Sequence, residues 1–214
     1  MPSRRSFLGL LGAGAALPAL TAREAVAHPA PRADVKWDMS WVDRIGGSFR
    51  AVFDTPEIND GAGMFRAVMW REQYKEVYGT DPAEMSAVLV IRHAALPMVM
   101  SDAFWDRYQI GKARKIKDGK DWARRNPYRS SDGMPKQWAM YSLEAFRDSG
   151  GTILACNLAF GQMVSLVAQK EKLKQAEART EALRHLLPGV TLMPSGIFAV
   201  ARAQAAGCVF VAAA

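Results

Sequence analysis

Two periodicities take turns along the chain. SFRAVFD, residues 48–54, has the composition of a strand. TPEINDG follows as a loop, with Asn59 or Asp60 placed to cap what comes next. AGMFRAVMWREQYKEVYG then carries Met64, Val68, Tyr74 and Val77 at helical spacing, thickened by Phe65, Met69 and Trp70 and closed by Gly79. SAVLVIRH, residues 86–93, is a continuous apolar run that fits a strand buried on both faces. Ser101 caps a short helix through Trp105. From Tyr108 to about Pro135 the periodicity fades, and the stretch reads as one long loop.

Beyond it, QWAMYSLEAFRDSGG is a helix closed by Gly150 and Gly151, and TILAC is the third strand. One long helix is predicted from about Leu158 to Leu187. Its narrow seam is Leu166, Leu173, Ala176, Thr180, Leu183 and Leu187, and the Lys and Glu residues between them form a solvated face. Pro188 and Gly189 stop it. VTLMP is a short strand, Ser195 caps the helix GIFAVARAQAAG, and CVFVAAA is the last strand. Strand and helix thus alternate through five strands. The predicted fold class is α/β, a three-layer α/β/α arrangement around a parallel sheet of about five strands.

The first residues of the 214 have a different character. MPSRRSFLGLLGAGAALPAL pairs Arg4 and Arg5 with a short apolar run broken by Pro18, too short for a membrane span. Ala25, Val26 and Ala27 form a cleavage-type site. SRRSFLG resembles the twin-arginine export motif, and an ordinary Sec signal carrying two arginines is the other reading. Residues 1–27 are therefore read as an export signal, residues 28–47 as a tether with Trp37 and Trp41 packed on the body, and residues 48–214 as one domain. The expected location is the periplasm, or export by the same route.

Charge refines this only locally. The chain has 28 Lys and Arg against 21 Asp and Glu. Without residues 1–27 these fall to 25 and 20, a mild +5 that gives no case for a nucleic-acid partner. No membrane span is expected in the mature form. The window 107–136, however, holds ten basic and three acidic residues. Its core, an insertion at about 108–135 with Arg124, Arg125 and Arg129 around Tyr128, has three readings. It is a lid over an anion, a docking surface for an acidic partner or membrane, or a solvated excursion.

In a sheet of this class, ligands bind beyond the carboxyl ends of the strands. Asp54, His93, Cys156 and Ser195 mark four such ends and are expected on one rim, with an accessible sulfur among them. Cys156 precedes a helix whose amino end favours a thiolate. It is equally a residue type that packs as a small hydrophobe. His93 either works beside Cys156, as a base or in orienting substrate, or bonds to backbone in a loop. Cys156 and His93 are the candidate catalytic residues. Asp54, Asn157, Ser195 and Gly196 are the candidate ligand positions. Asp54 serves a turn or a ligand, and Ser195 is better read as a helix cap than as a nucleophile. Cys208 begins the last strand, so it should lie at the opposite edge, in the core and without a disulfide to Cys156. No metal-ligand spacing appears, and no cofactor is called. G-x-S-x-G, P-loop and G-x-G-x-x-G patterns are absent.

From Cys156 onward, LACNLAF and LLPGVTLMPSGIFAVARAQAAGCVFV resemble the DsrE/DsrF-like sulfur-relay proteins. The matching positions are Gly189-Val190, Pro194-Ser195-Gly196-Ile197, Gln204 and Gly207-Cys208. The resemblance covers about 150–211 well and 48–100 more thinly. The basic insertion and the export signal depart from the cytoplasmic members. The resemblance implies the same three-layer fold and a cysteine that carries sulfur as a persulfide, here Cys156. It also implies assembly as homo- or hetero-oligomers. The expectation is an exported protein handling sulfane sulfur through Cys156, with an unidentified donor and acceptor. The alternative is a non-catalytic module that holds a small ligand or docks a partner.

Overall fold

The computed structural model describes residues 36–130 and 136–213. The export segment, residues 28–35 of the tether and residues 131–135 of the basic insertion lie outside the described residues. Five strands form one parallel sheet. They are β1 (Phe49–Thr55), β2 (Met85–Ile91), β5 (Thr152–Cys156), β6 (Val190–Met193) and β7 (Val209–Ala212), in the order β6-β5-β2-β1-β7. The continuous apolar run in β2 is explained by its place at the centre, where six of its seven residues are buried.

This order dictates where the helices go. The connections from β1 to β2, β5 and β6 all step the same way, so right-handed crossovers put them on one face. That face carries α1 (Ala62–Tyr78), α6 (Asn157–Glu171) and α7 (Gln175–Arg184), packed around Phe53, Leu89, Ile91 and Ile153. The last connection reverses direction to place β7 beside β1. Its helix α8 (Gly196–Ala205) therefore covers the opposite face. There Ala199 and Ala203 are small enough to lie close against Val52, Val88, Val90 and Leu154. Trp41, fully buried, completes this second core, as expected of the tether's end.

Four expectations differ. The predicted 158–187 helix is two helices, because Lys172 takes a left-handed conformation (φ 56°) and ends α6. The periodic seam does not continue across that break. Leu183 is 41% exposed, while Ala178 and Ala182 make the buried face of α7. The helix expected after residue 136 is also divided, into α4 (Lys136–Ala139) and α5 (Leu143–Asp148). Ser142 caps α5 by accepting from the Ala145 amide. Neither Asn59 nor Asp60 caps α1; its N-cap is Gly61, with no side-chain cap.

The largest difference is the predicted long loop. Beyond the expected short helix, α2 (Asp102–Arg107), it is built structure: α3 (Ile110–Arg114) and a small antiparallel hairpin of β3 (Lys117–Asp118) and β4 (Asp121–Trp122). One buried side chain pins it. Asn126 donates to the carbonyls of Met98 and Met100, each at 2.7 Å, and its Oδ1 accepts from the Tyr128 amide. Periodicity could not reveal this, because elements of two to six residues are too short to repeat an apolar face.

Candidate functional site

The strand register gathers distant segments at one edge. Asp54 pairs with Val90 and with Ala212, Ile91 with Ala155, and Cys156 with Met193. The carboxyl ends of all five strands therefore share one rim. Cys208 precedes β7, whose first residue pairs with Ala51 near the start of β1. That places it at the opposite edge. Both cysteines are free, and burial pushes the Cys208 thiol up to about 11. Cys208 belongs to the core under α8, as the sequence predicts.

Cys156 is the N-cap of α6. Its Sγ accepts from the Ala159 amide at 3.4 Å, the place a Ser or Asp oxygen commonly takes. The sulfur is closely enclosed, with the residue 6% exposed and counted with the core under α6. The expected accessible sulfur is thus at the expected edge but mostly covered.

The residue at the centre of the rim is one the sequence reading passed over. Arg92 follows β2 and grips Asp54 through two hydrogen bonds, Nε to Oδ1 at 2.6 Å and Nη2 to Oδ2 at 2.7 Å. This carboxylate raises the Arg92 pKa most, burial opposes it, and the charges of Asp54, Cys156 and Glu57 add to the rise. The α8 amino end closes over the same side chain. A Cβ at Gly196 would lie within 2.6 Å of Arg92 Cβ, so glycine is required there for close approach. The available signal was a polar residue immediately after a buried parallel strand, in the IRH triplet where only His93 was singled out.

The other candidates fall into different roles. His93 sits in a left-handed conformation (φ 50°) at the start of a 3₁₀ segment, His93–Val99. Its ring is 65% exposed and bonds Glu57 Oε1 through Nδ1 at 3.1 Å. Asn157, the first residue of α6, accepts from Arg179 Nη2 at 2.6 Å and ties α7 to α6. Ser195 caps α8 by accepting from the Phe198 amide at 3.1 Å. In the insertion, Arg124 forks onto Asp106, and Arg129 bonds Glu144 and pairs with Asp102. Arg125 is exposed and has no side-chain partner among the described residues.

No family model, curated protein or solved structure matches this chain.

The rim itself therefore carries the functional argument. It offers one thiol, one guanidinium with its carboxylate, and helix amino ends at Cys156 and Ser195. Leu158 and Ile197, each in the first turn of its helix, stand 72% and 74% exposed. Such a set can hold a small anion. Among the described residues no group of three or more His, Cys, Asp or Glu could hold a metal, and no helix is long and apolar enough to cross a membrane.

Proposed function

We propose that the strand-end rim accepts sulfane sulfur on Cys156, with Arg92 stabilising the anionic sulfur. The observation that carries this reading is that Cys156, at the end of β5, and Arg92, just past β2 and held by Asp54, share the carboxyl edge of the sheet. The Cys156 thiolate attacks the terminal sulfane sulfur of a polysulfide. The new S–S bond forms as the donor's own S–S bond breaks. The electron pair of that bond leaves on the shortened donor, so no external oxidant is needed. The product is a persulfide anion beside a guanidinium and an α6 amide, both favourable to negative charge. The resemblance of residues 150–211 to sulfur-relay proteins points the same way, and the twin-arginine-like pattern of residues 1–27 supports a reaction outside the cytoplasm.

A second reading rests on the 6% exposure of Cys156. In it the thiol only caps α6 and fills the core, and the rim holds a small ligand or docks a partner. Sulfane-sulfur transfer to the protein separates the two. The full chain is incubated with sodium tetrasulfide, desalted, and assayed for cyanide-resolvable sulfur. The sulfur reading expects close to one equivalent on the wild type, none on Cys156→Ser, and a clear loss on Arg92→Gln. Sulfur retained by Cys156→Ser contradicts it, and a wild type that takes up none favours the binding module.

A further inference from the structure

The basic insertion has a second use of its charge. Arg107 forks onto Glu171, Arg124 onto Asp106, and Arg129 onto Glu144. Lys117 lies over the Trp122 ring at 3.7 Å. Arg114 and Lys115 are left with no side-chain partner among the described residues, and both line a cleft of about 720 Å³. The segment 57–60 that follows β1 lines the same cleft and brings Glu57 and Asp60.

An aromatic cavity of about 320 Å³ adjoins it, the two meeting at Asp60, Ile116 and Lys117. Phe65 (44% exposed), Trp138 (54% exposed) and Tyr141 line this second space. Tyr141 has its ring centroid 5.0 Å from Phe65 and 5.9 Å from Trp138. Exposed aromatic rings set beside polar groups are the usual makings of a small-molecule site.

The backbone at the junction is strained. Asn59, Asp60 and Gly61 have consecutive positive φ values of 37°, 51° and 81°, and Lys115 (58°) is left-handed as well. Left-handed non-glycine residues cost about 1–2 kcal/mol each and persist where the surroundings enforce them, often at ligand sites. At Gly61 a Cβ would lie 2.9 Å from Tyr128 Cδ1, so the turn packs closely on that ring and only glycine fits there. The turn holds the Asp60 carboxylate where the aromatic cavity meets the charged cleft.

We infer that this groove binds a zwitterionic aromatic molecule of the amino-acid type. Its ring lies among Phe65, Trp138 and Tyr141, its ammonium group faces Asp60, and its carboxylate faces Arg114 and Lys115. The cleft is lined by residues that follow β1 and β2 at the same edge of the sheet, but the inference does not rest on sulfur chemistry at Cys156.

Isothermal titration of the full chain with L-phenylalanine, phenethylamine and 3-phenylpropionate tests each element. L-Phenylalanine binds saturably, and removing either charge weakens binding about tenfold or more, the scale of a lost charge-assisted hydrogen bond. Asp60→Asn, which suits a left-handed position, weakens the two ammonium ligands and spares 3-phenylpropionate. Arg114→Gln weakens the two carboxylates and spares phenethylamine. Trp138→Ala weakens all three, and Arg125→Gln, an unpaired cation outside the groove, changes none. Absence of saturable binding at millimolar ligand overturns the inference. So does binding that is indifferent to Asp60→Asn and Arg114→Gln in variants with wild-type melting curves.

Discussion

Arg92 and Cys208 show how much one position at a strand end decides. Arg92 leaves the centre of the sheet just as its chain emerges from the core. There it grips a carboxylate from β1 and lies against the glycine that opens α8, on the rim that also carries the end of β5. Cys208 has the same side-chain chemistry as Cys156 but sits at the other edge, packed under α8 with its thiol pushed up to about 11 by burial. An acid whose folded pKa is raised keeps its proton in the native state after the unfolded chain has lost it. Stability from this group is complete below the unfolded value near 9 and is lost as pH rises towards 11. Two units correspond to about 2–3 kcal/mol. Urea midpoints measured at pH 8 and at pH 10.5 should show this alkaline loss, and Cys208→Ala should reduce it, the remainder coming from the Tyr108 and Tyr128 phenols that burial also pushes up.

Cys156 was legible as a strand-end, helix-start position because the apolar run TILAC stops there and a helical pattern follows. Its enclosure was not legible, because the covering side chains come from other segments. Asp54 and Ser195 were legible as strand-end residues, but the partner that organises Asp54 is 38 residues away.

At the scale of elements, the long strands and helices were readable wherever an apolar pattern lasted several turns. The breaks were not. Lys172 ends α6 in a left-handed conformation that no glycine marks. Lys172→Gly should therefore stabilise the protein by about 1 kcal/mol, since glycine takes this conformation without a Cβ penalty. Unchanged or lower stability in urea denaturation would contradict the assignment. The insertion poses the converse problem, with order that depends on one buried amide. Asn126→Ala leaves the Met98 and Met100 carbonyls and the Tyr128 amide without their partner. It should cost about 2–4 kcal/mol, at the upper end for a lost buried polar network. Hydrogen exchange should show the loosening first in the amides of 108–130. Composition singled out this segment as basic, but only tertiary contacts show that three of its arginines, Arg107, Arg124 and Arg129, hold carboxylates from the body or from neighbouring helices.

For the molecule as a whole, sheet order ties these levels together. Strands added in one direction from β1 send their connections to one face, and the single reversal at β7 sends α8 to the other. The same parallel order brings every strand's carboxyl end to one rim, which makes a strand-end site possible at all. The fold class followed from alternation in the sequence. The strand order did not, because nothing local distinguishes a strand added at one edge from one added at the other.

The central claim is that the rim presents a usable sulfur, although Cys156 is 6% exposed at rest. Alkylation of the native full chain by iodoacetamide near neutral pH, with peptide mapping of each cysteine, tests this most directly. The account expects Cys156 to be labelled at least about tenfold faster than Cys208, with Arg92→Gln slowing Cys156 alone. If both thiols react only after unfolding, Cys156 is a packing residue and the sulfur reading is wrong.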